Sequence, residues 1–156
     1  MNNMIQDHIT IKNRYAYFVK KVCETETVYA LSDGKGYATS HSNDLEDKDG
    51  APVQIICFWS DTARAKSCIQ QEWSHYEVSF IPLIEFVENW CLGMNSDGLL
   101  VGINFDSHLF GYEAEPLELC LDIIRELKNK GKSLVLKKFN DINDMETQIK
   151  NVLEDE

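Results

Sequence analysis

The chain has 156 residues, 44% of them hydrophobic and 10% aromatic, about one domain's worth of a folding polypeptide. Fifteen Lys and Arg against 26 Asp and Glu give a formal net charge of -11. That field repels phosphate backbones and anionic lipid headgroups, which argues against nucleic acid and membranes as partners and favours a basic protein. No run of about 20 apolar residues and no basic-then-apolar leader occurs, so a cytoplasmic location is expected.

Tyr15, Phe18, Val19 and Val22 fall at i, i+3, i+4 and i+7, the spacing of one helical stripe, and predict a first helix ending near Glu24. The β-branched and aromatic content of Thr27–Leu31 predicts a strand. Ser32-Asp33-Gly34-Lys35-Gly36 then reads as a turn, and Tyr37–Ser40 as the returning hairpin strand. From His41 to Pro52 the apolar residues shrink to Leu45 and Ala51, which predicts an exposed acidic loop over 41–52. Val53–Trp59 is a continuous apolar run, the pattern of a central strand covered on both faces.

Ser60 or Asp61 can cap a following helix carrying Ala65, Cys68, Ile69 and Trp73 at helical spacing. Glu77–Ile81 reads as a strand. Pro82 suits a first helical turn because its missing donor is not needed there, and Leu83, Phe86, Val87, Trp90 and Cys91 line the helix it opens, with Gly93 placed to end it. A strand follows over Leu99–Phe105. Pro116 opens a helix through Leu117, Cys120, Leu121, Ile124 and Leu127 that stops at Gly131. A short strand at Leu134–Leu136 precedes a last helix with Met145, Ile149, Val152 and Leu153 on its apolar side. The tail 154–156 is acidic and opposes that helix's dipole, so fraying is expected there. The tally is about six strands and five helices in a single α+β domain over 1–156, with the helices packed on a mixed or mainly antiparallel sheet.

Tyr17-Phe18-Val19-Lys20-Lys21-Val22, Val28-Tyr29-Ala30-Leu31 before a glycine turn, and Phe58-Trp59-Ser60 with Ala63 and Ala65 form a recurring pattern. It continues through Glu72-Trp73 with Tyr76, Ile81-Pro82-Leu83-Ile84-Glu85-Phe86 with Trp90, and Asp97-Gly98. Over roughly Tyr15–Val101 the chain resembles a bacterial family known as domain of unknown function twenty-seven fifty. The resemblance implies a small bacterial cytoplasmic protein; the family has no established catalytic residues, so it assigns no site.

Chemical motifs are absent from the sequence. Asp47, Asp49 and Gly50 imitate part of a calcium loop, but the register puts Leu45 and Ile56 where ligands belong. The cysteines Cys23, Cys57, Cys68, Cys91 and Cys120 are dispersed, with no C-x-x-C pair, and read as buried reduced thiols. His8, His41, His75 and His108 lack an i+4 partner for a metal. The glycine pairs match no phosphate-binding fingerprint, and Trp59, Trp73 and Trp90 read as core. Neither catalytic residues, nor a metal, nor a cofactor is therefore assigned. Lys128, Lys130, Lys132, Lys137 and Lys138 form a basic cluster at a helix end.

The resulting expectation is a non-enzymatic acidic interaction protein, an immunity-type protein that neutralises a basic bacterial toxin through Asp44, Glu46, Asp47 and Asp49. One alternative is a small enzyme or ligand-binding domain with a pocket near Cys68, His75 and His108. Another is a bacterial adaptor or regulator.

Overall fold

The structure is a computed structural model in which residues 4–155 are described. Helix α1, Met4–Thr25, begins eleven residues before the stripe that predicts it. Its early turns are largely exposed, and burial begins at Phe18. Its end is held from outside: Lys132 Nζ donates to the carbonyls of Cys23 and Glu24, both at 3.0 Å. A cation there satisfies terminal acceptors and complements the negative end of the helix.

Among the described residues six strands form two sheets. Strand β1, Thr27–Ser32, pairs antiparallel with β4, Glu77–Pro82. The other sheet has the order β2-β3-β5-β6, from Thr39–Glu46, Pro52–Phe58, Leu100–Ile103 and Tyr112–Ala114. Within it β3 and β5 run parallel and the other neighbours antiparallel. Tyr29 and Trp59 exchange backbone N–H···O bonds of 2.9 and 2.8 Å and tie the two sheets together.

The central pair β3 and β5 is covered on both faces, as its apolar run predicts. Phe58, Val101 and Ile103 join Phe18 and Val22 of α1, Phe86 and the buried stripes of α5, Pro116–Asn129, and α6, Ile142–Glu154. Ile55, Cys57 and Leu100 face the other way, onto Trp59, Ala65, Cys68, Trp73 and Phe105. Alternation along two strands thus generates two apolar layers. Each large side chain fully buried there contributes about 1.5–3 kcal/mol of hydrophobic stabilisation. All five cysteines are free and buried. Burial pushes the Cys23 thiol up to about 12 and raises those of Cys57 and Cys91 as well.

The fold class is α+β, with five α-helical runs among the described residues, the run from Leu83 to Asp97 being one of them, besides a short 3₁₀ turn. Several boundaries differ from the sequence reading. Residues 41–46 are not loop: β2 runs on to Glu46, and only 47–51 turn. Pairing with β3 and a bond from Ser42 Oγ to Glu113, 2.6 Å, recruit this polar stretch despite its low strand propensity. The predicted hairpin reduces to a bridge between Ser32 and Tyr37, because β1 and β2 turn to different partners.

Helix α2 is only Thr62–Lys66, capped by Asp61, whose side chain accepts from Arg64 N at 2.9 Å. Cys68 lies in the following turn and Trp73 in a 3₁₀ turn, Gln71–Trp73, so the predicted stripe is two pieces. Gly93 does not end the helix after Pro82. The run continues as α3, Leu83–Glu85, a π-helical turn, Phe86–Cys91, and α4, Leu92–Asp97, closing at Gly98 with φ 72°. The sixth strand is β6 rather than Leu134–Leu136. That segment is irregular, and just beyond it the Glu88 carboxylate, not a strand, takes the Lys137 and Lys138 N–H groups. In the tail, α6 extends through Glu154 and Asp155 caps it, while Glu156 lies outside the described residues.

Candidate functional site

Strand β2 lies at the edge of its sheet, and no other strand pairs with its outer side among the described residues. Its pairing with β3 slips between His41 and Glu46: His41 faces Gln54, whereas Glu46 faces Pro52. The surplus residues arch out as a bulge around Ser42, whose Oγ accepts from the N–H groups of Asp44 and Leu45 at 3.1 and 3.0 Å.

The four acidic residues sit at the end of this edge in different situations. Asp44 lies in the bulge, and Glu46 closes the strand; both are exposed. Asp47 builds the turn. Its Oδ1 accepts from Asp49 N at 2.9 Å and Ala51 N at 3.1 Å, which fixes the β2–β3 connection. Asp49 is exposed beside Gly50, whose φ is 82°.

At the other end of β2 a groove of about 270 Å³ opens, walled by Thr39–His41, by Cys68 and Gln70–Trp73, and by Ser107 and Leu109. Among the described residues its wall carries one carboxylate, Glu72, and neither Lys nor Arg. Gln71 and Leu109 adopt left-handed backbone, φ 53° and 63°. Non-glycine residues persist in that region only when their surroundings over-determine them.

The far wall of the groove is a heavily braced loop, residues 104–111. The Trp59 indole N–H and the Cys68 thiol both donate to the Phe105 carbonyl, at 2.8 and 3.2 Å. Gln70 Nε2 donates to Ser107 O at 3.1 Å. Asn104, left-handed and buried, accepts from Ser60 N at 2.9 Å. Arg14 reaches across from α1 to Asp106 at 3.1 Å and to the Phe110 carbonyl at 2.9 Å. This bracing presents Leu109 and Phe110 to solvent, 45% and 58% exposed.

Burial by itself would raise the Asp106 carboxyl, but N–H donors from Phe110 and His108 and the Arg14 guanidinium outweigh it and hold the group below the usual carboxylate range. Its folded value is then lower than the unfolded value of about 3.9. The stabilisation is fully present above the unfolded value and is lost as pH falls through the folded one. In denaturation midpoints measured between pH 6 and 2, Asp106→Asn is therefore expected to start less stable and to lose less on acidification. A variant with the wild-type acid slope would show that Asp106 is not a contributor.

The pocket expected near Cys68, His75 and His108 takes a different form. Cys68 reaches the groove wall, yet the imidazole there is His41, and His75 and His108 line no part of it. Burial, the leading cause, raises the Cys68 pKa. A thiol so protonated at neutral pH is a poor nucleophile. His41, Gln70–Trp73, Ser107 and Leu109 carry no signal in the linear sequence, since about 30 residues separate each segment from the next. Among the described residues no group of three or more His, Cys, Asp or Glu is placed to hold a metal ion. None of the described helices is long and apolar enough to cross a membrane.

The basic cluster is largely consumed internally. Lys128 pairs with Glu146 at 2.7 Å, Lys130 with Glu126 at 3.5 Å and Lys132 with Glu26 at 3.4 Å, and Lys138 Nζ donates to the Glu88 carbonyl. The acidic edge has no such counter-charges: none of Asp44, Glu46, Asp47 and Asp49 forms an ion pair among the described residues.

No curated protein and no solved structure shows significant similarity to the chain. One family model does match, over residues 15–123, more than two thirds of the length, and it takes in the groove, the braced loop and the whole of β2. The chain belongs to that family, described as Protein of unknown function (DUF2750).

Proposed function

We propose that this chain is a non-enzymatic binding protein of the immunity type, which takes a basic segment of a bacterial toxin along the free edge of β2 in the cytoplasm. The observation that carries this reading is the edge itself: an unpaired strand rail with a groove at one end and exposed, uncompensated carboxylates at the other. An extended segment added to such an edge gains main-chain hydrogen bonds, and pockets beside the strand select its side chains. The carboxylates accelerate encounter with a basic partner and orient it on arrival.

The bulge and the charges also keep two copies of the chain from pairing edge to edge. That role is compatible with partner binding, because a basic strand cancels the charge that a second copy would double.

The test is first whether a toxin reading frame lies beside that of this chain, and then whether the toxin domain it encodes binds this chain, followed by stopped-flow kinetics at low and high salt. Asp44, Glu46 and Asp49 are reversed together to Lys, while Asp47 is left intact because the turn depends on it. The association rate constant is expected to fall by about tenfold or more at low salt, with the gap narrowing as ionic strength rises. Unchanged rates and unchanged affinity would take the acidic edge out of the interface.

A further inference from the structure

On the opposite layer of the molecule, a second cavity of about 260 Å³ opens between the sheet and the helical run that begins at Leu83. Ile56 and Leu99 form its sheet side, and Asn89, Trp90, Gly93, Met94 and Asp97 its helix side. Three features distinguish it from a random surface hollow.

First, the helix is irregular where it borders the cavity. Asn89 and Trp90 belong to the π-helical turn. A π turn inserts an extra residue at a cost in regular hydrogen bonding, and such turns recur at functional sites. Second, the aromatic wall is preset. Trp90 is held edge-on by Tyr37 and by Phe58, with ring centroids at 4.7 and 5.5 Å and interplanar angles of 84° and 81°. Beside it Gly93 leaves open space, since a Cβ built there would meet nothing within 4 Å.

Third, the charge has one sign. Asp97 lies on the rim at the C-terminal end of the helical run, where the backbone dipole is also negative, and among the described residues no Lys, Arg or His lines the cavity. An indole wall next to a carboxylate offers apolar contact to the body of an organic cation and a counter-charge to its head. The hollow opens to solvent on one side, and its volume of about 260 Å³ accommodates one aromatic ring with a short side chain.

We infer that this cavity binds a small organic cation, with an apolar body against Ile56, Trp90, Met94 and Leu99 and an ammonium head at Asp97. The site is separate from the β2 edge and stands whether or not that edge docks a toxin.

The probe is 2-phenylethylamine, with 2-phenylethanol as the neutral analogue of the same shape, titrated into ¹⁵N-labelled full-length protein and followed by amide NMR. The amine is expected to give saturable shifts at Asn89, Gly93, Asp97 and the Trp90 indole N–H, and to bind at least about fivefold more tightly than the alcohol. Asp97→Asn is expected to bring the two affinities together, and Gly93→Leu to abolish binding of both. Gly93 is exposed in a helix with room above it, so the leucine variant should keep the wild-type melting temperature. Linear, unsaturable shifts, equal binding of amine and alcohol to the wild type, or undiminished binding to folded Gly93→Leu would each overturn the assignment.

Discussion

Replacing Gly111 by alanine is expected to destabilise the fold by about 3 kcal/mol or more, which for a domain of this size lowers the melting temperature by roughly 6–12 °C. A Cβ at Gly111 would lie 2.3 Å from Phe105 Cδ1, 2.6 Å from the Ile103 carbonyl oxygen and 2.9 Å from Phe105 Cα. Two of these neighbours are backbone atoms, so no side-chain rotation relieves the clash. The residues that must shift are the ones the loop is built on. Phe105 is buried, and its carbonyl accepts from both Trp59 and Cys68. Displacing it loosens the loop over 104–111 and with it the groove wall formed by Ser107 and Leu109.

Gly36→Ala is the matched control. Nothing lies within 4 Å of a Cβ there and the backbone is not left-handed, so its effect should stay within about 0.5 kcal/mol. Thermal and urea unfolding of the two variants side by side decides the matter. Gly111→Ala melting together with Gly36→Ala would mean that the close approach is not a constraint.

Glu88→Ala is expected to cost about 2–4 kcal/mol and to release the segment between α5 and α6. Glu88 sits in the π-helical turn with only 2% of its surface exposed. Its carboxylate accepts from Lys137 N at 2.9 and 3.0 Å and from Lys138 N at 2.6 Å, and the Lys138 ammonium returns to the Glu88 carbonyl at 3.1 Å. Charge-assisted bonds to backbone donors are stronger than neutral ones, and removing the acceptor leaves both the Lys137 and Lys138 N–H groups without it at once. Glu88→Gln retains one acceptor oxygen but turns an NH₂ toward the donors, and should fall between wild type and alanine. Hydrogen exchange separates this local role from general damage: the Lys137 and Lys138 amides should lose protection well before those of β3 and β5. Amides at 137 and 138 that stay protected in the alanine variant would sink this account of the pin.

Both residues show where a linear reading stops. Gly111 reads as an ordinary loop glycine until the chain folds Phe105 underneath it, and Glu88 reads as a polar residue off an apolar stripe until the segment at 137–138 arrives from fifty residues away. The same holds for the groove and for the cavity beside Trp90. Each is assembled from segments whose only common property is where the fold puts them. The family match covers Glu88 but ends at residue 123, before Lys137 and Lys138.

What the amino-acid order settles by itself is the part governed by short-range rules. Pro116 marks a helix start and Pro82 the N-cap just before one, the apolar run 53–59 makes a strand buried on both faces, and the spacing finds Leu117, Cys120, Ile124 and Leu127 of the α5 core stripe, though Leu119 and Ile123 are buried where Leu121 is expected. Propensity, periodicity and proline geometry act over a few residues, so they survive in the sequence. Tertiary structure decided the rest. A polar stretch became the edge strand β2 because β3 offered a ladder and Glu113 a partner for Ser42. A predicted strand at 134–136 stayed irregular, with Glu88 rather than a neighbouring strand taking the N–H groups just beyond it. Backbone donors and acceptors must all be satisfied, but which partner satisfies them depends on what the completed fold brings within three ångströms.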